Sequence, residues 1–425
     1  MNKVLIISYY FPPMGMGGVQ RTLKFAKYLP EFNWQPVVIT DSPKKYFAVD
    51  KSLLKEAIDS GIIIERTGKG EFNPDKIIVK APNENLRKTA SKISQFFLIP
   101  DSKKFWKRKA LKKIDEVWKK YGGFDIVYST APPYTDHLIG VAVKNKYNVP
   151  LITDYRDAWV DSPVLNHYPT PYHKLANIRL EKNVIKESEF VLTTNRRVKE
   201  LILARYGNIG YNDVVIVPHG YDTQDFEKAA ENPAPKSGKM RITYSGSFYT
   251  RDPLYYFDSI KLLFQKYPDL KDKIEFCFIG NLPKDLMQVI EDYGIKNNIN
   301  VLGYLEHIDC VRYIMSSDLL FLLISRGEND DAAMPGKIGE YIGSRKNIVA
   351  CIPEGVSKKL LENYNAVKFI SEENPELLVN AFYEYYQLWK NNDMPVANNE
   401  VVKQYDRKEL TEQIAKKFNH LLRFD

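Results

Sequence analysis

The sequence predicts an α/β protein built from two doubly wound parallel-sheet domains. Apolar runs of strand length alternate with amphipathic helical stretches in two successive series. The 425 residues are enough for two domains that each bury a core of their own. Residues 227–239 have linker composition, which divides the series. We therefore expect one domain over residues 1–225 and a second over residues 240–400.

The order of the elements follows from these runs. Strands of the first series are expected at residues 4–8, 37–40, 62–65, 125–129, 151–153, 190–194 and 214–217. Strands of the second series are expected at residues 241–245, 274–279, 300–302, 319–324, 347–351 and 367–370. Helical stretches separate the strands, a long helix at 376–389 closes the second series, and an amphipathic helix at 406–422 forms the tail.

Composition excludes several classes of protein. The net charge of +8 is modest for this length, and no apolar run approaches the roughly 20 residues of a membrane span. Pro12 and Pro13 interrupt the N-terminal apolar run too early for a signal peptide. The three cysteines lack metal-ligand spacing, so we expect reduced thiols, no metal site and a cytoplasmic protein.

Residues 333–344 carry the strongest functional signal. On a helical wheel after Pro335, the apolar side chains form one face, and the opposite face holds Glu340 with three glycines, Gly336, Gly339 and Gly343. Each such glycine costs about 1 kcal/mol relative to alanine, so we expect something to approach this face closely. Lys337 and the helix N-terminus favour an anion, and Glu340 lies one turn away, where it can accept ribose hydroxyls. The pattern predicts a nucleotide site; the alternative is a capped helix with a surface glutamate.

Two further stretches follow strands, at positions where open α/β sheets bind ligands. Gly17 and Gly18 end the loop after the first strand, which suggests either a phosphate cradle or close packing. The loop lacks full dinucleotide spacing, and no acidic residue closes the second strand, so a nicotinamide dehydrogenase is disfavoured. Asp154, Arg156 and Asp157 follow a later strand. They form either a ligand site or a local ion pair that fastens a loop.

Residues 84–121 are mostly helical in pattern and rich in lysine and arginine. Aromatic residues, among them Phe96, Phe97 and Trp106, interrupt the basic residues. This combination suits the surface of an anionic membrane. The alternative is a solvated helical face over a buried apolar turn. Nucleic acid is a poorer fit, because no recognition motif accompanies the charge.

Five motifs together resemble a known family. They are Phe11-Pro12-Pro13 with Gly17-Gly18, the block from Asp154 to Trp159, the block from Pro218 to Asp222, Gly246-Ser247-Phe248 with Arg251, and the block from Pro335 to Tyr341. In this order, the motifs resemble the retaining, nucleotide-sugar-dependent glycosyltransferases of family 4 that build bacterial surface polysaccharides. The resemblance implies the GT-B architecture, in which two domains face across a cleft and the C-terminal helix, here 406–425, returns to the N-terminal domain.

The resemblance also implies roles for individual residues. The donor would be bound by Gly17, Gly18, Gly246, Arg251, Pro335, Gly336, Lys337, Ile338 and Glu340. The catalytic set would be Asp157, Arg156, Arg251 and Lys337. The acceptor or the transferred sugar would lie near His137, Asp154, Trp159 and Asp331. The family pattern has a second glutamate where this chain has Ala332, and the nearest acids are Glu328, Asp330 and Asp331.

The implied reaction uses a nucleoside-diphosphate sugar and no metal or other cofactor, because cations stabilise the leaving diphosphate. The acceptor would be a saccharide, or a saccharide linked to a polyprenyl diphosphate, at the inner face of the membrane. Two alternatives remain at this point. One is a sugar-nucleotide epimerase of the same fold, and the other is a non-catalytic partner of another transferase.

Overall fold

The computed structural model describes the chain except for residues 47, 69–71, 80–93, 162–167, 208, 247–253, 325–329, 371 and 423–425. The chain divides into two compact units. The first unit comprises Met1–His219 together with Arg407–Asp425, and the second comprises Gly220–Asp406.

The first unit is built on a seven-stranded sheet whose neighbouring strands are all parallel. The strands of this unit are β1 (Asn2–Ile7), β2 (Trp34–Thr40), β3 (Lys45–Tyr46), β4 (Ile63–Arg66), β5 (Ile78–Val79), β6 (Ile126–Ala131), β7 (Leu151–Tyr155), β8 (Phe190–Thr193) and β9 (Val214–Ile216). The order across the sheet is β4-β2-β1-β6-β7-β8-β9, and β3 pairs with β5 separately. The order reverses between β1 and β6, which makes the carboxyl ends of these strands the expected ligand edge.

Helices cover both faces of this sheet. They are Gly17–Tyr28, Lys51–Asp59, Trp106–Tyr121, Thr135–Tyr147, Pro171–Glu187, Arg196–Arg205 and Arg407–Leu421. The tail helix Arg407–Leu421 places Leu410, Ile414 and Phe418 in the core of the first unit. The indole N–H of Trp34 also donates to Asn419 Oδ1 at 2.9 Å. The tail helix therefore completes the first unit, as the resemblance implied.

The second unit is built on a six-stranded parallel sheet. Its strands are β10 (Met240–Ser245), β11 (Ile274–Ile279), β12 (Ile299–Gly303), β13 (Leu319–Leu323), β14 (Asn347–Cys351) and β15 (Val367–Ile370). The order is β12-β11-β10-β13-β14-β15. Every residue of β13 is apolar and buried, as expected of a strand covered on both faces. The order reverses between β10 and β13, so ligand residues are expected after these two strands.

The helices of the second unit lie on both faces of its sheet, where two separate apolar clusters form the core. They are Thr223–Glu231, Leu254–Lys266, Lys284–Asp292, His307–Met315, Lys337–Gly343, Val356–Glu362, Pro375–Lys390 and Asn399–Lys403. Aromatic side chains fill much of one cluster. Tyr256 stacks on Phe321, for example, with ring centroids 4.2 Å apart.

The predicted fold class, two doubly wound parallel-sheet domains, is confirmed. The prediction of a linker over residues 227–239 is wrong in its first part, because the helix Thr223–Glu231 continues into it. Phe226 and Ala229 of that helix are buried in the second unit. The alanine pair and charged residues that resembled a linker are the last turns of an amphipathic helix.

Candidate functional site

The helix Lys337–Gly343, called the donor helix below, is fixed to the carboxyl end of β10 and to the middle of β13. The backbone N–H of Ser245, the last residue of β10, donates to the hydroxyl of Tyr341 at 2.9 Å. The same hydroxyl donates to the carbonyl of Phe321 in β13 at 3.2 Å. Ile338, Tyr341 and Ile342 are fully buried, as the helical wheel predicted. The core face of this helix therefore positions its other side at the reversal of strand order.

Lys337 lies beside the turn that ends β10. Its ammonium donates to the carbonyl of Ser245 at 3.0 Å and lies 4.0 Å from the centroid of the Tyr244 ring. Gly246 has a φ of +129°, and a Cβ there would lie 3.3 Å from the Lys337 ammonium. A side chain at this position would be strained and would crowd the cation. Two predicted donor-binding residues, Lys337 and Gly246, thus meet at one point.

Glu340 lies one turn further along the donor helix and keeps 11% of its side chain exposed. One of its carboxylate oxygens is 3.5 Å from Nδ1 of His307. The other ring nitrogen of His307 is 3.0 Å from a carboxylate oxygen of Asp225. Glu340 is therefore held within the second unit by a neighbour that the sequence did not reveal.

Two of the three glycines on this face have a different partner from the one expected. A Cβ on Gly339 would lie 2.8 Å from the carbonyl of Gly220, and a Cβ on Gly343 would lie 2.3 Å from the Tyr221 ring. Both glycines therefore admit the chain's own segment at 220–221 and not a ligand. A Cβ on Gly336 would meet nothing within 4 Å. Only this third glycine keeps the open surface that we expected for all three.

The N-terminus of the donor helix offers less to an anion than we expected. The helix has seven residues, and its amides are partly used within the turn: Ile338 N–H donates to the Pro335 carbonyl at 3.0 Å. Gly339 N–H likewise donates to the Gly336 carbonyl at 3.1 Å. With its side chain in the core and its N–H engaged, Ile338 has no N–H group left for the diphosphate of a donor. Pro335 and Gly336 are half-buried at the start of the helix.

The residues around the missing second glutamate are only partly described. Ala332 is buried, and Asp331 is half-buried, with its backbone packed against Gly355. Arg251, Ser247 and Glu328 lie outside the described residues, and so does the side chain of Asp330. Their predicted roles stay predictions.

In the first unit, Arg156 follows β7 and is held by backbone carbonyls. Its guanidinium donates to the carbonyls of Gly18 and Pro132, and its Nε donates to that of Ala131 at 3.2 Å. A Cβ on Gly18 would lie 2.5 Å from the guanidinium, whereas one on Gly17 would meet nothing within 4 Å. Gly18 therefore makes room for Arg156, which is the close-packing alternative, and Gly17 leaves open surface.

Asp154 is a structural residue of the first unit. Its carboxylate forms a two-point ion pair with Arg21, at 2.9 and 2.8 Å, and both side chains are 0% exposed. The hydroxyls of Tyr128 and Thr130 also donate to this carboxylate, at 2.7 and 3.0 Å. Burial acts to raise the pKa of Asp154, but the charge and hydrogen bonds of Arg21 outweigh it and lower the pKa overall. With its oxygens engaged in this way, Asp154 is a poor candidate for contact with a sugar.

Two other acceptor-side candidates are also buried. Burial lowers the pKa of His137 to about 3, so its imidazole is neutral, and its Nδ1 lies 2.8 Å from Ser129 Oγ. Trp159 donates its indole N–H to Asn177 at 2.9 Å and stacks on Tyr134 at 4.6 Å. His137 is therefore unsuited to proton transfer. Trp159 keeps one edge on a surface pocket.

Asp157 differs from these buried residues because its side chain is exposed beside Arg156. The surrounding protein raises the pKa of its carboxyl by limiting hydration, while the charge of Arg156 opposes that shift. Asp157 is thus the one acidic residue of the block 154–159 that is exposed at the residue level, although its carboxyl is partly shielded from water.

Sequence reasoning missed Arg21, His307, Asp225 and the anchoring hydroxyl of Tyr341. A signal existed for Arg21, which falls on the same helical stripe as Phe25 and lies 4.8 Å from its ring. A cation on an apolar stripe needs a buried acid, and Asp154 ends an apolar strand. The sequence around His307 and Asp225 contains no comparable pattern that predicts their contact.

Comparisons with known proteins agree with this fold. Residues 16–225 match a family model described as Glycosyltransferase Family 4. Sucrose-phosphate synthase from Thermosynechococcus elongatus has a similar structure, with a TM-score of 0.63, 13% identity and coverage of 100% of both chains. No curated protein of matching sequence was found.

Two further solved structures share the fold. A lipopolysaccharide outer core galactosyltransferase in its apo form has a TM-score of 0.53 and 12% identity, with 97% of this chain and 98% of that chain covered. The UDP-GlcNAc 2-epimerase from Neisseria meningitidis, bound to UDP-GlcNAc, has a TM-score of 0.57 and 12% identity, with the same coverage. At these identities the likeness shows the fold alone.

The fold is that of the GT-B class, two doubly wound parallel-sheet units with the tail helix in the first. The match over residues 16–225 confirms the resemblance to family 4 glycosyltransferases that the motifs indicated. In the described part of the chain, no helix combines the length and the apolar character that a membrane span requires.

Proposed function

We propose that this protein transfers a sugar from a nucleoside-diphosphate sugar to a saccharide acceptor, with retention of configuration and without a metal. The observation that carries the proposal is the grouping of Glu340, Lys337 and Gly246 at the strand-order reversal of the second sheet. Ligands of doubly wound sheets bind at this edge. The grouping supplies one carboxylate for ribose hydroxyls and one cation for a diphosphate.

The proposed chemistry relies on charged side chains of the chain itself. Lys337, together with Arg251, would stabilise the negative charge that develops on the leaving diphosphate. Retention is the stereochemistry that the family resemblance implies. Arg156 and Asp157, at the carboxyl edge of the first sheet, would lie near the transferred sugar, and Gly17 would let the donor approach.

A screen of donors tests the first part of the proposal. Each nucleoside diphosphate and its common sugar conjugates are added to the folded protein, and the melting temperature is measured. A ligand that binds only the native state at 100 times its dissociation constant stabilises it by about 2.7 kcal/mol, so we expect one base and one sugar to raise Tm most. No shift with any nucleoside diphosphate at millimolar concentration would contradict the proposal.

The same donor separates transfer from epimerisation and from a non-catalytic role. We expect sugar transfer to an added acceptor, no change of the donor without acceptor, and unchanged activity in EDTA. Interconversion of the sugar nucleotide without acceptor would favour the epimerase. Binding without turnover of any kind would favour the non-catalytic partner.

We further propose that the acceptor is linked to a polyprenyl diphosphate and that the first unit contacts an anionic membrane, on its cytoplasmic side. Two segments of this unit expose an apolar patch: Phe96 is 50%, Phe97 71%, Tyr172 71% and Leu175 60% exposed. His173, between the last two, joins the segments, because its Nε2 lies 2.9 Å from the Phe96 carbonyl. We call Phe96, Phe97, Tyr172 and Leu175 the aromatic patch.

Exposed basic side chains neighbour exposed aromatic residues along the chain of the first unit. Lys174 is exposed between Tyr172 and Leu175, and Lys104 and Arg108 are exposed around Phe105, another exposed aromatic residue. Lys103 is partly buried, and its ammonium lies 4.8 Å from the Tyr9 ring. Burial also lowers its pKa, so we do not count Lys103 among the exposed cations. The alternative that Phe96 and Phe97 are core residues does not fit their exposure. Exposed aromatic rings beside cations favour a membrane surface.

Vesicle sedimentation tests this contact. We expect the protein to bind vesicles rich in phosphatidylglycerol at low salt and to dissociate at high salt, because surface charges are screened. The triple variant Lys104→Gln, Arg108→Gln, Lys174→Gln should weaken partitioning on the order of 100-fold, at about 1 kcal/mol per basic residue. Phe97→Ser should weaken it further.

The matched control removes the same charge elsewhere. Lys228, Lys271 and Lys273 are exposed on the second unit, and their triple replacement by glutamine should leave vesicle binding unchanged. Equal loss in both triple variants would mean that net charge alone attracts the protein. No binding to anionic vesicles by a folded, donor-binding protein would overturn the membrane contact while leaving the donor site intact.

A further inference from the structure

His307 connects Glu340 to a second acidic residue within the second unit. The three side chains come from different helices: Asp225 from Thr223–Glu231, His307 from the first position of His307–Met315, and Glu340 from the donor helix. Nε2 of the imidazole lies 3.0 Å from Asp225 Oδ2, and Nδ1 lies 3.5 Å from Glu340 Oε1. All three side chains are nearly buried, with 7%, 7% and 11% exposed.

The two ring nitrogens of His307 both face carboxylate oxygens. A neutral imidazole has one N–H donor and one lone pair, so it would present a lone pair to one of these carboxylates. An imidazolium donates from both nitrogens, and two flanking carboxylates favour that charged form. The imidazolium therefore fits both contacts, because it offers an N–H to each carboxylate oxygen. Asp225 fixes the plane of the ring, and the ring then restricts Glu340.

We propose that His307 is a positioning residue for nucleotide binding. It holds Oε1 of Glu340 and thereby orients Oε2 toward the ribose hydroxyls of the donor. The inference rests on the proposed role of Glu340 as the ribose ligand. A carboxylate held in advance loses less side-chain freedom when it binds than a free glutamate would. His307 therefore acts on ribose recognition through Glu340, without touching the donor.

The test compares two probes that differ only in the hydroxyls that Glu340 would bind. UDP is chosen because its sugar conjugate occupies a solved structure of the same fold, and 2′,3′-dideoxy-UDP is the matched probe. We expect wild-type protein to prefer UDP, and Glu340→Gln to abolish most of that preference. His307→Ala should weaken UDP binding 3- to 10-fold and leave the dideoxy probe nearly unchanged.

Additional variants separate positioning from folding. His307→Gln keeps a hydrogen-bond donor near Glu340 and should therefore recover part of the preference for UDP over the dideoxy probe. Asp225→Asn should reduce this preference less than His307→Ala does. Adding His307→Ala to Glu340→Gln should cause no further loss, because the two act in sequence. Melting temperature is measured for every variant, so that only folded proteins are compared.

The outcomes distinguish this inference from the function on which it rests. If His307→Ala weakens the binding of both probes equally, His307 is a structural residue and the inference is overturned. The same holds if the losses of UDP affinity in the double variant are additive. A wild-type protein that binds UDP and its dideoxy analogue equally, or a Glu340→Gln variant with unchanged preference, would instead overturn the proposed role of Glu340.

Discussion

Replacing Asp154 by asparagine is expected to destabilise the first unit by about 3–5 kcal/mol, because Arg21 would remain buried without its countercharge. Arg21→Met should cost a similar amount for the same reason. The double variant Arg21→Met, Asp154→Leu should recover most of the loss, since removing both charges also removes their desolvation cost.

Urea denaturation followed by tryptophan fluorescence measures this effect. Four of the five tryptophans, Trp34, Trp106, Trp118 and Trp159, lie in the first unit, so the signal reports mainly on that unit. The control is Asp59→Asn, which breaks the exposed pair Lys55–Asp59 in the same unit. Its cost should be within about 0.5 kcal/mol. Comparable losses in the two variants would contradict the buried-pair argument.

The Asp154–Arg21 pair also predicts a dependence on pH. Because the folded protein lowers the pKa of Asp154, the folded state binds this proton less readily than the unfolded chain does. The stabilisation is complete above the ordinary carboxyl pKa of about 4, and it is lost as the pH falls through the lowered folded value. The difference in stability between wild type and Asp154→Asn should therefore shrink in acid.

Glu340→Gln is expected to lower donor affinity by roughly one to two powers of ten with little change in fold stability. Glutamine keeps the shape of the side chain, but its hydrogen bonds to ribose hydroxyls lose the charge that makes each worth about 1.5–3 kcal/mol. Isothermal titration with the best nucleoside diphosphate measures the change.

The control for Glu340→Gln is Glu354→Gln, which removes an exposed carboxylate with 85% of its side chain accessible in the same unit. It should leave donor affinity unchanged. Unchanged affinity in Glu340→Gln would exclude Glu340 from the donor site, whereas a large fall in melting temperature would show that its carboxylate is needed mainly for folding.

The main elements of the fold were predictable because each leaves a local pattern. Buried parallel strands appear as short apolar runs, and β13 is the clearest example. The helical wheel also predicted which side of the donor helix enters the core, since Ile338, Tyr341 and Ile342 recur at helical spacing. The predicted linker failed because an amphipathic helix of alanine and charged residues has nearly the same composition as a connecting segment.

The partners of the site residues were much harder to predict, because they are distant in the chain. Asp154 and Arg21 are separated by 133 positions, and no local spacing indicates that pairing. The neighbours of Asp154 in sequence suggested instead a pair with Arg156, which the structure shows bound to backbone carbonyls. The contact of His307 with Glu340 depends on how three helices pack. No sequence pattern within any of these helices predicts it.

The close approach of Gly343 to Tyr221 has a consequence for comparing related sequences. Since a methyl group at 343 would overlap the Tyr221 ring, the two positions should covary: alanine at 343 should occur where 221 carries a small side chain. Position 339 faces backbone at Gly220 and should stay glycine regardless of the neighbouring side chain. A sequence profile that weights these two glycines as a nucleotide fingerprint would therefore also select relatives that have kept the packing of this segment and lost the donor.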